Sequence, residues 1–127
     1  MIGGKVLDAS ALAALARRRP AALAWFDTAR LVGVALYLPT LALAEVRAVR
    51  PDAASLLADL LSHPSVVLGE LDAATADQVD QLLLAANVFD ALAAHVVYVA
   101  RRRGWPALTA DPGRLQRVNP DVDVDLL

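Results

Sequence analysis

Apolar residues recur along this chain in two rhythms, and the switches between them divide it into short strands and longer helices. Ile2 and residues 5–7 begin a short apolar run, and Ser10 then opens an Ala/Leu-rich helix that ends near Pro20. A second helix, 21–31, leads into the unbroken apolar run 32–38, which suits a strand buried on both faces and is closed by Pro39. Thr40 is placed to cap a helix that runs through Glu45 towards Val49, and Pro51 with Asp52 restarts the helical pattern as far as Ser62. Residues 65–68 read as a third strand. A helix follows from Asp72 to about Ala86, with a break at Asn87, and another runs from about Phe89 to Arg103 and stops at Gly104. Residues 106–109 supply a short strand, 112–118 one or two helical turns, and the alternation of Val122, Val124 and Leu126 with Asp121, Asp123 and Asp125 marks an edge strand.

Strands separated by helices pair in parallel through right-handed crossovers. The pattern therefore predicts an α/β fold in three layers, α-β-α, with a central parallel sheet of four or five strands. At 127 residues this is one domain, 1–127, with room for one sizeable core.

Composition changes this picture at three points. The hydrophobic fraction is 57%, above the roughly 45–50% usual for soluble domains, and a homodimer interface is the expected destination of the excess. Asp, Glu or Arg interrupts every candidate apolar run, so no membrane span is expected, and residues 1–8 lack a signal peptide's basic region and cleavage site, which points to the cytoplasm. The absence of cysteine excludes disulfides, thiolate zinc sites and cysteine nucleophiles. Chemistry is left to carboxylates, two histidines and hydroxyls.

The carboxylates fall at informative places. Asp8 directly follows strand residues Val6 and Leu7, and Asp111 comes just after the strand at 106–109. Parallel strands that each end in an aspartate bring both to the carboxyl edge of the sheet, where open α/β sheets bind ligands. Glu45 and Asp90 are each embedded in apolar helical sequence, so each either reaches outward or faces a polar pocket. The plainer reading of any one of them is a helix cap or turn, Asp90 capping its helix and Asp111 starting a turn before Pro112. Four carboxylates at one site repel unless a cation lies between them, and an all-oxygen set favours Mg²⁺ or Mn²⁺ over Zn²⁺.

The segments 6–12 (Val-Leu-Asp-Ala-Ser-Ala-Leu), 43–46 (Leu-Ala-Glu-Val) and 108–111 (Leu-Thr-Ala-Asp) resemble, in that order and over nearly the whole chain, the best marked motifs of the PIN-domain family. The resemblance is closest to small bacterial VapC-type toxins of toxin–antitoxin pairs, which are Mg²⁺-dependent endoribonucleases. It implies that Asp8 and Asp111 are metal ligands, that Glu45 supports the metal or its water, and that Asp90 is the remaining family carboxylate. Ser10 and Thr109 would orient those carboxylates through their hydroxyls. The implied reaction is metal-assisted hydrolysis of RNA, with a small antitoxin protein as partner.

One position departs from the family pattern. The third carboxylate is expected where this chain has Ala93, with Asp90 one helical turn earlier; residues three apart share a helix face, so Asp90 reaches the same side at a different depth. If it falls short, three acids remain and the chain is a weak or inactive PIN-like binding module. A flap-type DNA nuclease ranks last, because 127 residues leave little room for its extra elements. His95 is a candidate phosphate or base contact, set against the plainer reading of a satisfied, partly buried histidine. Trp25 and Trp105 read as packing residues. The arginines at 17–19, at 101–103, and at 114 and 117 read as dipole-complementing helix ends or as contacts for substrate phosphates.

Overall fold

The computed structural model describes residues 3–127, so the expected contribution of Ile2 to the first strand lies outside the described residues. In chain order the elements are β1 (Gly4–Leu7), α1 (Ala9–Ala16), α2 (Pro20–Val32), β2 (Ala35–Pro39) and α3 (Thr40–Val49). A 3₁₀ turn (Pro51–Ala53) then runs into α4 (Ala54–Leu61), followed by β3 (Val66–Gly69), α5 (Ala73–Ala86), α6 (Ala91–Arg103), β4 (Ala107–Thr109), α7 (Pro112–Gln116) and β5 (Val124–Leu126).

The five strands form one sheet in the order β3-β2-β1-β4-β5, with every neighbouring pair parallel. From β1 the chain steps outward through β2 to β3, then returns to the other side of β1 and steps outward again through β4 to β5. The seam between β1 and β4 is therefore the point where the order reverses, and in such sheets a crevice opens there at the carboxyl ends of the strands. The register pairs Val6 with Ala107 and Leu7 with Leu108, which sets Asp8 level with Thr109.

Helices flank this sheet. Helix α1 packs against α2 and α3, while α6 lies against β1, β2 and β4 and is covered in turn by α5. Helix α6 is buried nearly all round, from Leu92 to Val97 and again at Val99 and Ala100. Leu7, Leu12, Leu36, Leu38, Leu57, Leu108, Leu115 and Phe26 are all fully buried, each contributing about 1.5–3 kcal/mol relative to an exposed position.

Three local expectations are corrected. The apolar run 32–38 is not all strand: Val32 ends α2, Gly33 takes a left-handed conformation (φ 76°) with its N–H bonded to the Ala29 carbonyl, and the strand begins at Ala35. The lack of a Cβ at position 33 makes that turn cheap, so the chain spends it in the middle of an apolar run. Thr40 does not cap α3; Pro39 occupies the cap position and the Thr40 hydroxyl donates instead to the Gly69 carbonyl at 3.3 Å, tying α3 to the end of β3. The first helix starts at Ala9 and stops at Ala16, four residues short of Pro20, because Arg18 turns left-handed (φ 55°) and Pro20 opens α2. The breaks at Asn87 and Gly104 fall where the sequence placed them.

Among the described residues no single helix is long and apolar enough to cross a membrane. Large apolar side chains left on the surface include Phe89 at 99% exposed, Leu31 at 87% and Leu84 at 74%.

Candidate functional site

The site grows from the seam between β1 and β4. Asp8 leaves β1 and becomes the N-cap of α1, its Oδ1 accepting the Ala11 N–H at 2.9 Å and the Ser10 hydroxyl at 2.7 Å. Its other oxygen, Oδ2, accepts the hydroxyl of Thr109, the last residue of β4. Asp8 is 3% exposed and Thr109 fully buried, so these bonds replace water at a charge that has left it. The same hydroxyls then accept from the next loop: Ala110 N–H donates to Ser10 Oγ at 2.8 Å and Asp111 N–H to Thr109 Oγ1 at 2.9 Å. With each hydroxyl proton given to Asp8, the 3.1 Å approach of Ser10 Oγ to Thr109 Oγ1 is the close contact of two oxygens serving one carboxylate. Ser10 and Thr109 thus hold the Asp8 carboxylate and the Asp111 backbone.

Asp111 stands at the N-cap position of α7 without a side-chain cap bond, and lines an open cavity of about 400 Å³ together with Ser10, Glu45, Arg17, Arg19 and Arg114. Glu45 reaches it from α3. Asp90 is the N-cap of α6, its Oδ1 accepting the Ala93 N–H at 3.1 Å. The capping role weighed from sequence is therefore present, and it coexists with a second one.

That second role is an arginine bridge. Arg114, on α7, donates Nε to Asp90 Oδ2 at 2.6 Å and Nη2 to Asp90 Oδ1 at 3.0 Å. The same guanidinium donates Nη1 to Glu45 Oε1 at 2.8 Å and Nη2 to Glu45 Oε2 at 3.1 Å. Two carboxylates from two helices converge on one cation through a fork on each side. The Arg114 guanidinium bonded to Asp90 holds that carboxyl below the usual carboxylate range against the opposing effect of its partial burial, with the Ala93 N–H adding to the effect. The two acids in return raise the already high pKa of Arg114.

The donor chemistry fits a hard divalent ion: the acids offer only oxygen, and the guanidinium stands where a cation satisfies Glu45 and Asp90 together. As arranged, however, no three acidic or histidine side chains among the described residues close into a metal-holding group. Asp8 and Asp111 lie on the seam side, and Glu45 and Asp90 are committed to Arg114. Asp90 meets Glu45 only through that arginine. Ala93, where the family pattern expects an acid, is buried and supplies only its N–H.

Other candidates sort by position. His95 is fully buried, its ring edge-on to Tyr37 at 6.3 Å, and both ring nitrogens lack a hydrogen-bond partner among the described residues. It packs inside the fold and does not line the cavity. Burial lowers its pKa, with a smaller opposing effect from Asp72. Trp25 packs edge-on to Phe26, and Trp105 lies against Gly4 and beneath Arg103. The cluster at 101–103 sits at the opposite end of α6 from Asp90, about 18 Å away at 1.5 Å per residue, with Arg103 placed over Tyr37 and Trp105 and Arg102 bonded to the Tyr98 hydroxyl. Arg17 and Arg19 do line the cavity, and neither has a carboxylate partner among the described residues. The pairing of Arg114 with two of the acids leaves one trace in the sequence, its place three residues after Asp111 on the same helical turn.

Solved structures of similar fold span nearly the whole chain. VapBC2 from Rickettsia felis, bound to a DNA fragment from its promoter, matches at a TM-score of 0.71 and 13% identity over 100% of this chain and 99% of that one. PAE2754 from Pyrobaculum aerophilum matches at 0.67 and 23% over 95% and 83%. FitAB bound to the IR36 DNA fragment matches at 0.66 and 20% over 99% and 94%. No curated protein matches significantly. The family model of the PIN domain matches residues 5–119, so an all-parallel sheet with Asp8 and Asp111 at its β1–β4 seam and a match over nearly the full length lead to one assignment: the chain belongs to the PIN domain family.

Proposed function

We propose that this chain is a metal-dependent endoribonuclease of the VapC type, working in the cytoplasm as one domain over residues 1–127 and as a homodimer, with a small antitoxin as its partner. The observation that carries the reading is the mounting of Asp8 at the β1–β4 seam by Ser10 and Thr109, with Ser10 lining the same cavity as Asp111 and Glu45, in a chain of the PIN family. Asp8, Glu45, Asp90 and Asp111 would hold Mg²⁺ or Mn²⁺. When bound, such an ion supplies Lewis-acid polarisation of a phosphoryl oxygen and neutralises charge that develops on it.

The rest of the work falls to the chain itself. Ser10 and Thr109 keep the Asp8 carboxylate from rotating, so its geometry is set before substrate arrives. Arg17 and Arg19, free of carboxylate partners among the described residues, offer guanidinium groups to the phosphates of an RNA strand crossing the cavity. VapBC2 and FitAB are each named as two-component assemblies, which supports an antitoxin partner here. The exposed Phe89, Leu84 and Leu31 support burial of apolar surface between two copies, and light scattering that returned a monomer at high concentration would remove that element of the reading.

The test is cleavage of a mixed RNA pool by antitoxin-free protein, with and without Mn²⁺ or Mg²⁺, beside Asp8→Asn and Asp90→Asn. Metal-dependent cutting abolished in both variants is the expected result. Cutting lost only in Asp8→Asn reduces the site to three acids. The second reading, a catalytically inactive PIN-like binding module, is favoured by the commitment of Glu45 and Asp90 to Arg114; no cutting at any metal concentration would establish it over the first.

A further inference from the structure

Glu45 and Asp90 project from separate helices, α3 and α6, and no hydrogen bond joins them directly. What brings them together is four N–H···O bonds from a third element, the Arg114 guanidinium on α7. Each bond uses a carboxylate lone pair that a metal ion would also require. A guanidinium and a divalent ion cannot both lie between these two carboxylates, since like charges at that separation repel and the oxygens cannot face both.

We propose that Arg114 is a built-in competitor of the divalent ion: it occupies the cation position between Glu45 and Asp90 in the ion-free protein and must leave before an ion can use them. The proposal rests on the metal-dependent reading above and adds to it the residue that sets metal affinity. Arg114 acts through two carboxylates and is a positioning residue. Room for its departure is present, since Arg114 itself lines the open cavity, and Glu45 is 45% exposed, so an arriving ion has access from solvent. Arg17 and Arg19 lie on the same cavity without such bonds, which singles out Arg114 as the competitor.

The experiment titrates Mn²⁺ alone into the full chain and follows free Mn²⁺ by electron paramagnetic resonance, for wild type, Arg114→Gln and Arg114→Lys. Removing the competitor should tighten Mn²⁺ binding by about tenfold or more in Arg114→Gln, the fold-change equivalent to one charge-assisted hydrogen bond. Arg114→Lys keeps a cation and should stay closer to wild type. A purely structural arginine predicts the reverse, since loosening α7 would weaken the site, so equal or weaker binding in Arg114→Gln overturns the competition while leaving the metal-dependent reading intact. No binding to any of the three proteins overturns both. If circular dichroism shows Arg114→Gln to be unfolded, Mg²⁺ is titrated into ¹⁵N-labelled wild type instead. The Arg114 Nε–H signal, assigned by its loss in Arg114→Lys, should move in a saturable way to that of a solvated guanidinium; a stationary signal while the Glu45 and Asp90 amides respond overturns the proposal.

Discussion

Thr109 donates its hydroxyl proton to Asp8 across the seam between β4 and β1, and both residues are shut off from solvent, at 0% and 3% exposed. A buried carboxylate is tolerated only while its oxygens are met by donors, and Asp8 has three: two hydroxyls and the Ala11 N–H. Replacing Thr109 with Val keeps the shape and removes one donor. We expect a loss of about 1–3 kcal/mol in urea unfolding, the cost of an unmet buried acceptor, with Thr109→Ser recovering most of it. An unfolding curve for Thr109→Val that overlays wild type would show the hydroxyl to be dispensable.

Asp90 serves α6 as a cap and Arg114 as a counter-ion, and two substitutions separate these roles. Asn is as good a cap as Asp, so Asp90→Asn should keep the helix end, whereas Asp90→Ala should cost about 1 kcal/mol more in unfolding. Both remove the charge. The Asp90 pKa is depressed in the folded chain, so the stability its ionised form contributes is present above the unfolded value near 3.9 and is lost as pH falls through the folded one. The gap between wild type and Asp90→Asn should therefore be constant around neutrality and close only in strong acid.

His95 is expected to make the fold sensitive to milder acid. Its buried ring is held neutral, with a folded pKa below the ordinary value near 6.5, so the unfolded chain takes up a proton first as pH falls. Its contribution is complete above about pH 6.5 and declines below it. Urea unfolding between about pH 5 and 7.5 should show this decline in wild type and a shallower one in His95→Leu. Equal slopes would mean that other groups carry the acid sensitivity.

Gly69 is required by a close approach, since a Cβ there would lie 1.9 Å from the Tyr37 hydroxyl oxygen and 2.0 Å from its ring. Tyr37 is buried in β2 with the Arg103 guanidinium over its ring. Gly69→Ala should destabilise by about 1–3 kcal/mol in thermal or urea unfolding, and the paired change Tyr37→Leu should relieve part of that penalty.

Much of this architecture was legible because the signals were local. Asp8 and Asp111 stand just past apolar strands, and parallel pairing carries both to one edge whatever the details of the loops. Asn87 and Gly104 are residues that accept a left-handed turn at the end of a helical pattern. Gly33 carries the same signal but sits within the apolar run 32–38, where hydrophobicity outweighs it, so the pattern extends the strand back over the end of α2. The Arg114 bridge was illegible for another reason: its partners lie 69 and 24 residues away, and nothing in sequence spacing says which of three basic clusters will face which acids. His95 is polar on the helix that Asp90 caps, which is all its sequence position conveys; only packing shows that its ring turns inward.

The Asp8–Thr109 bond joins residues 101 positions apart, and the Ser10–Ala110 bond closes nearly the same loop. A chain emerging from the ribosome, N-terminus first, therefore carries Asp8 and Glu45 long before it carries the strand that locks Asp8 in place. Until β4 has been made and paired, a nascent chain carries Asp8 without the donor that Thr109 supplies across the seam. An N-terminal fragment released early by stalled translation would hold its Asp8 carboxylate with Ser10 and the Ala11 N–H alone.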